Sequence, residues 1–165
     1  PEGFLSNSLE AFAATIASSQ TFQNAIAADT VQQALGEVIR GGVWETKNVP
    51  DKTRAIVRFG DGTSGSHFTN TSFTMRAVFS VMFEYVIPEA YWESYSDAYT
   101  WFLNLDGKIN SEMLRNCRAQ PHLYINVTEF SQVGEPGIVD PKEMEGKQVG
   151  FTTWTYEAIG ENASL

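Results

Sequence analysis

A chain of 165 residues, 42% apolar and 13% aromatic, has room for one packed domain and too much apolar content for wholesale disorder. Its formal net charge is −9, and its 11 Lys and Arg residues are scattered rather than striped, which disfavours binding driven by phosphate neutralisation. The single cysteine, Cys117, excludes an internal disulfide and a cysteine-rich zinc site, and no apolar run approaches the roughly 20 residues of a bilayer span. The sequence opens at Pro1 without a charged, then apolar, then small-residue leader. It reads as a chain whose start methionine was removed, kept in a cytosol or in a particle assembled there.

Residues 4–40 read as a helical unit. Leu5, Leu9, Phe12 and Ile16 recur at spacings of four, three and four, which makes one apolar stripe. Ser18, Ser19 and Thr21 interrupt it. Phe22, Ala25 and Ile26 make a short second turn or helix, and Asp29-Thr30 offers a cap before Val31, Leu35 and Val38. Gly41-Gly42 is the expected stop. This unit is predicted to cover one face of a sheet.

The sheet-and-helix part spans 43–158. Val43–Lys47 suits a short strand with Trp44 inward, and Asn48–Asp51 suits a turn. Arg54–Phe59 alternates as a strand, and Gly60–Ser72 is a projecting polar loop too long for a tight hairpin. From Phe73 to Ile87 every odd position is apolar or aromatic, the period of extended backbone rather than helix. At about 3.3 Å per residue this run is roughly 50 Å long, against a usual strand of about 17–20 Å. Such a strand must bend at a bulge, or leave the domain and be completed by another chain.

Pro88 ends it. A helix follows from about Ser94 or Ser96, with Ala98, Trp101, Phe102, Leu105, Ile109 and Met113 on one face. Gly107 in its middle suggests a close crossing over the sheet. Leu123–Phe130 is a further strand, Ser131–Lys147 a second polar loop, Gln148–Ala158 the last strand, and 159–165 a loose tail. The fold class is α+β: a mainly antiparallel sheet with a long central strand, helices on one face and two long polar loops.

Catalytic chemistry needs convergent reactive groups, and the sequence offers few. His67 lies in a polar loop and His122 follows Pro121, each without a ligand-type residue three or four positions away. Cys117 has arginines nearby but no histidine beside it in sequence. The Gly60-Asp-Gly-Thr-Ser-Gly65 run lacks the Lys-Ser/Thr ending of a phosphate loop and precedes a strand. Glu135, Asp140, Glu143 and Glu145 do not have calcium-loop spacing. No catalytic, cofactor or metal residue is assigned. The aromatic group Tyr91, Trp92, Tyr95, Tyr99 and Trp101 has no basic residues interleaved and reads as core plus interface. The polar arms and extended strand suit a building block that contacts copies of itself, with Ser64, His67, Phe68, Phe73, Glu135, Asp140 and Glu143 as candidate contacts.

Several stretches together resemble the tail terminator proteins of long-tailed bacteriophages. They are the Ala-rich helix leading into Thr21-Phe-Gln-Asn-Ala-Ile26 and Asp29-Thr-Val-Gln-Gln-Ala-Leu35, the strand 73–87, Asp97-Ala-Tyr-Thr-Trp-Phe-Leu-Asn-Leu-Asp-Gly-Lys-Ile109, and the ending through Gly150-Phe-Thr-Thr-Trp-Thr155. The resemblance covers order and texture across most of the chain, and the loops 60–72 and 131–147 lie outside it. It implies a ring of identical subunits, commonly six, that caps the tail tube, meets a head-side connector and lets DNA pass through its channel without holding it. It also implies a virion location, with assembly in the host cytoplasm and no membrane contact. An acidic lumen would follow from the net charge. The rival readings are another junction or tube subunit, such as a head-closure protein, and a small soluble enzyme or ligand-binding domain with a pocket between helices and sheet.

Overall fold

The computed structural model describes residues 4–42, 49–60, 68–71, 74–119, 125–132, 134–139, 141–142 and 144–161. Helix α1 (Phe4–Ala17) carries the expected stripe, burying Phe12 and Ile16 with Ala11, Ala13 and Ala17 beside them. The small alanines let the helix lie close to its neighbours. Helix α2 (Gln20–Ala25) is capped by Ser19, whose Oγ accepts from Phe22 N at 3.1 Å. Helix α3 (Val31–Glu37) is capped by Thr30 Oγ1 on Gln33 N at 3.1 Å, and Gln33 reaches back to Asp29 N at 2.8 Å. The helical unit ends earlier than Gly41-Gly42. Strand β1 (Ile39–Arg40) already pairs in parallel with Ile56 and Val57, and Gly41 (φ +90°) only turns the chain away.

Strands β2 (Arg54–Phe59), β3 (Phe68–Thr71), β4 (Thr74–Val86), β5 (Ile125–Gln132), β6 (Gly137–Val139) and β7 (Val149–Glu161) complete a seven-stranded sheet. The order is β1-β2-β4-β7-β5, with β3 beside β4 and β6 beside β7. Apart from β1 with β2, every pairing is antiparallel. The predicted class is therefore the observed one, with the helices on one face of the sheet.

The long strand is real, but neither expected remedy for its length is used. β4 keeps an unbroken register with β7 over 13 residues, Thr74↔Glu161 to Val86↔Val149. Its other edge is filled by two short strands in tandem, β3 on Thr74–Ala77 and β2 on Phe79–Glu84. A bulge does occur, in β5 between Val127 and Glu129. The flanks of β4 are thus completed within the chain, and the expectation that sister molecules complete them is corrected.

Three further boundaries move. Phe68–Thr71 turns the end of the first polar loop into a strand, Gly137–Val139 does the same inside the second, and β7 runs through Ile159–Glu161, into the stretch expected to be tail. Gly137 packs closely on its neighbour: a Cβ there would lie 3.0 Å from the Phe151 ring of the facing strand, which would have to shift by a few tenths of an ångström. The proposed strand around Trp44 lies outside the described residues.

Odd β4 positions face the helices. Phe79 meets Phe12 with ring centroids 4.8 Å apart, Phe83 meets Phe22 at 6.4 Å, and Tyr85 stacks on Phe102 at 6.1 Å. Phe102 belongs to helix α4 (Tyr95–Ala119), which begins at the Ser94 cap after a 3-10 turn over Glu89–Tyr91. It lies so close to β7 that a Cβ on Gly150 would fall 2.6 Å from its ring. The close crossing is made at Gly150. Gly107, expected to mark it, is exposed, with nothing within 4 Å of a Cβ placed there.

On the opposite face of the sheet, Arg54 and Glu84 are direct cross-strand partners joined at 3.0 Å, their side chains 11% and 9% exposed. The rung Phe79–Tyr156 packs against Phe12, and Phe59 packs on Phe79. Beyond that rung β3, β4, β7 and β5 continue as a four-stranded extension, and β4 adds five residues to it, Thr74–Val78, roughly 17 Å.

Candidate functional site

Two places gather polar chemistry: a buried carboxylate under α4 and a groove along the outside of the same helix. α4 carries both because its core face and its solvent face are each interrupted by polar side chains.

Asp106 shares the core face with Phe102, Ile109 and Met113 and is 2% exposed. Its Oδ1 accepts from Tyr85 Oη at 2.6 Å and from Thr152 Oγ1 at 2.7 Å, and its Oδ2 accepts from Trp154 Nε1 at 3.0 Å. Asn110, one turn on, donates to the Asp106 carbonyl at 2.9 Å and accepts from Tyr156 Oη at 2.8 Å. Burial, then the Asp106 charge and its hydrogen bond, hold the Tyr85 phenol well above its ordinary value of 10.0. These groups close on one another inside the core, so their chemistry is cohesive: three sheet residues hold α4 by one carboxylate.

The groove lies between α4 and the segments carrying α2 and residues 51–53. It consists of two adjoining depressions of about 630 and 580 Å³ that share Thr21 and Lys108 as walls. At one end Val86, Pro88, Trp101 and Leu105 form an apolar wall facing Asn24, Asp51, Lys52 and Thr53. The other end is lined by Ser111, Glu112 and Arg115 of α4. Glu112 is already engaged, accepting from Thr21 N at 3.2 Å and Ser19 Oγ at 3.4 Å, where a carboxylate meets the positive end of α2. Asp51 is held by Lys147 at 3.4 Å, and Lys52 by Glu37 at 3.3 Å. Lys108 and Arg115 are exposed, and no acidic partner pairs with either among the described residues. In a chain of net charge −9 this groove therefore presents two exposed cations, with the Glu112 carboxylate between them along the helix.

Of the residues expected at an interface, Ser64, His67, Phe73, Asp140 and Glu143 lie outside the described residues. Phe68 is placed by its backbone opposite Ala77, at the far end of β4 from the groove, and Glu135 is exposed before β6. The two are not brought together. The aromatic group near α4 does form part of the surface: Tyr91 stacks on Trp101 at 5.8 Å, Tyr95 stacks on Tyr99 at 6.0 Å, and Tyr95 is 64% exposed. His122 lies outside the described residues, and Cys117 is placed on α4 by its backbone alone.

Sequence reading missed Asp106 and the Lys108–Arg115 pair. The first had a signal, a carboxylate on an apolar helical stripe, and the second is a spacing of seven residues along the solvent side of the same helix. Among the described residues, no cluster of three or more His, Cys, Asp or Glu could hold a metal ion, and no helix is long and apolar enough to cross a membrane. No protein-family model matches the chain, and no curated protein matches it either.

Proposed function

We propose that this chain is a structural virion subunit of the tail-terminator type, acting as a homo-oligomeric ring, with six copies as the expected number. In this role it caps the tail tube and joins it to the head-side connector. The observation that carries the reading is that, among the described residues, the helices lie on one face of the sheet and leave its other face to a second layer. A sheet is stable when each apolar face is covered by a second layer, and a neighbouring copy in a ring supplies such a layer. The net charge of −9 suits a lumen along which DNA slides without adhering. Asp106 and Glu112 are both engaged in holding helices, so neither is a free acid or base for turnover.

The test is to locate the chain in images of intact particles and to weigh the purified protein by native mass spectrometry. The expected results are density at the tail–head junction and a closed assembly whose mass is a multiple of 18.3 kDa, formed alone or on tails. Density elsewhere in the particle, or a monomer that never joins tails, refutes the proposal.

A further inference from the structure

We propose that the groove along α4 seats residues 89–97 of a second copy of this chain. The inference rests on the ring reading and names the contact between its subunits. Each copy carries −9, so self-contact is repulsive unless unlike charges meet locally. The described structure supplies both halves. Lys108 and Arg115 stand exposed along the groove without an ion pair among the described residues; Asp51 is paired with Lys147, and Glu112, which accepts from Thr21 N and Ser19 Oγ, offsets only part of their charge. Residues 89–97 expose three carboxylates, Glu89, Glu93 and Asp97, interleaved with Tyr91 and Tyr95.

The lengths agree. From Trp101 to Arg115 the helix rises roughly 21 Å. Residues 89–97 comprise the 3-10 turn Glu89–Tyr91, a turn to the Ser94 cap and the first turn of α4, a reach of roughly 15–18 Å at about 1.5–2 Å per residue. Tyr95 is the most exposed large hydrophobic side chain among the described residues, which makes it the anchor for the wall of Val86, Pro88, Trp101 and Leu105. With Tyr95 anchored there, Glu89 and Glu93 run toward Lys108 and Arg115. The contact is heterologous, since each copy offers its acidic segment and its groove to different neighbours, and such contacts close into rings.

A charge-exchange experiment on the full chain tests this by sedimentation velocity at low and moderate salt. Variant one is Lys108→Glu with Arg115→Glu, and variant two is Glu89→Lys with Glu93→Lys. All four positions are exposed, and circular dichroism confirms folding. Each variant alone should self-associate at least about tenfold more weakly than wild type, and an equimolar mixture should regain most of the loss. Tyr95→Ala should weaken association without altering its salt dependence. If wild type assembles and both variants assemble equally well, this contact is wrong while the ring reading stands. If both variants weaken but the mixture does not recover, the two surfaces do not meet each other and the contact is again wrong. If wild type and the mixture stay monomeric and neither joins tails, both proposals fall.

Discussion

Replacing Asp106 by asparagine isolates what a charge contributes beneath α4, because the side chain keeps its shape. An asparagine oxygen in the Oδ1 position still accepts from Tyr85 and Thr152, now without the charge. Its amide nitrogen then stands where Oδ2 accepted from Trp154 Nε1 at 3.0 Å, so two donors face each other. One charge-assisted bond is lost and two are weakened, which places Asp106→Asn about 2 kcal/mol below wild type. Asp106→Ala takes the acceptor from two buried donors, Tyr85 and Thr152, and from the half-buried Trp154 and opens a small cavity, and partial hydration limits its cost to about 4 kcal/mol. Against a total of about 5–15 kcal/mol for a domain, the alanine variant should lower Tm by roughly 10 °C. Urea unfolding followed by tryptophan fluorescence measures both, with Trp154 itself a reporter. Adding Trp154→Phe to Asp106→Asn removes the opposed donor and should recover about 1 kcal/mol relative to additivity. The reasoning fails if the asparagine variant lies within about 0.5 kcal/mol of wild type, or if the two substitutions simply add.

The raised Tyr85 phenol predicts alkaline behaviour. Above pH 10 the unfolded chain loses that proton while the folded chain keeps it, so the unfolded state binds fewer protons and stability falls as pH rises. The slope from this group is about 1.4 kcal/mol per pH unit, and Tyr85→Phe should remove it; an unchanged slope in that variant rejects the assignment. Two glycines of α4 and its neighbour should respond oppositely. Gly150→Ala forces a Cβ to 2.6 Å from Phe102 and should cost about 1–3 kcal/mol, whereas Gly107→Ala meets open space and should gain up to about 1 kcal/mol, both read from thermal melts. On the other face, Glu84→Ala strips Arg54 of its cross-strand carboxylate and should cost about 3 kcal/mol. The double change Arg54→Met with Glu84→Leu should restore most of that in a denaturant titration, and a double variant no better than the single one contradicts it.

Strong periodicity made most of the fold legible. The alternation through Phe79, Val81, Phe83 and Tyr85 fixed both the strand and the face it buries, and the stripe Ala98, Phe102, Ile109, Met113 fixed α4. The short strands were not legible, because Phe-Thr-Asn-Thr and Gly-Ile-Val have little pattern of their own and are extended by the partners they pair with, β4 and β7. Asp106 was visible as an acid on an apolar stripe, yet its donors sit 21 to 48 residues away and converge through the β4–β7 register. The second wall of the groove, Thr21 and residues 51–53, has no sequence link to Lys108 at all.

That register also decides where self-association can occur. From Thr74 to Glu84 the backbone of β4 is flanked on both sides within the chain, so it has no edge to lend to a neighbour. Contact that does not use another strand's edge then runs through side chains, and the exposed cations and carboxylates of α4 and its approach are groups that can supply it. The two routes differ in their response to salt. Backbone pairing between edges is nearly indifferent to ionic strength, while a Lys108–Arg115 contact with Glu89 and Glu93 weakens as the Debye length shrinks from about 10 Å at 0.1 M to 3 Å at 1 M. An assembly that persists unchanged across that range would return the argument to strand edges, with β1 and β5 at the two ends of the sheet's order.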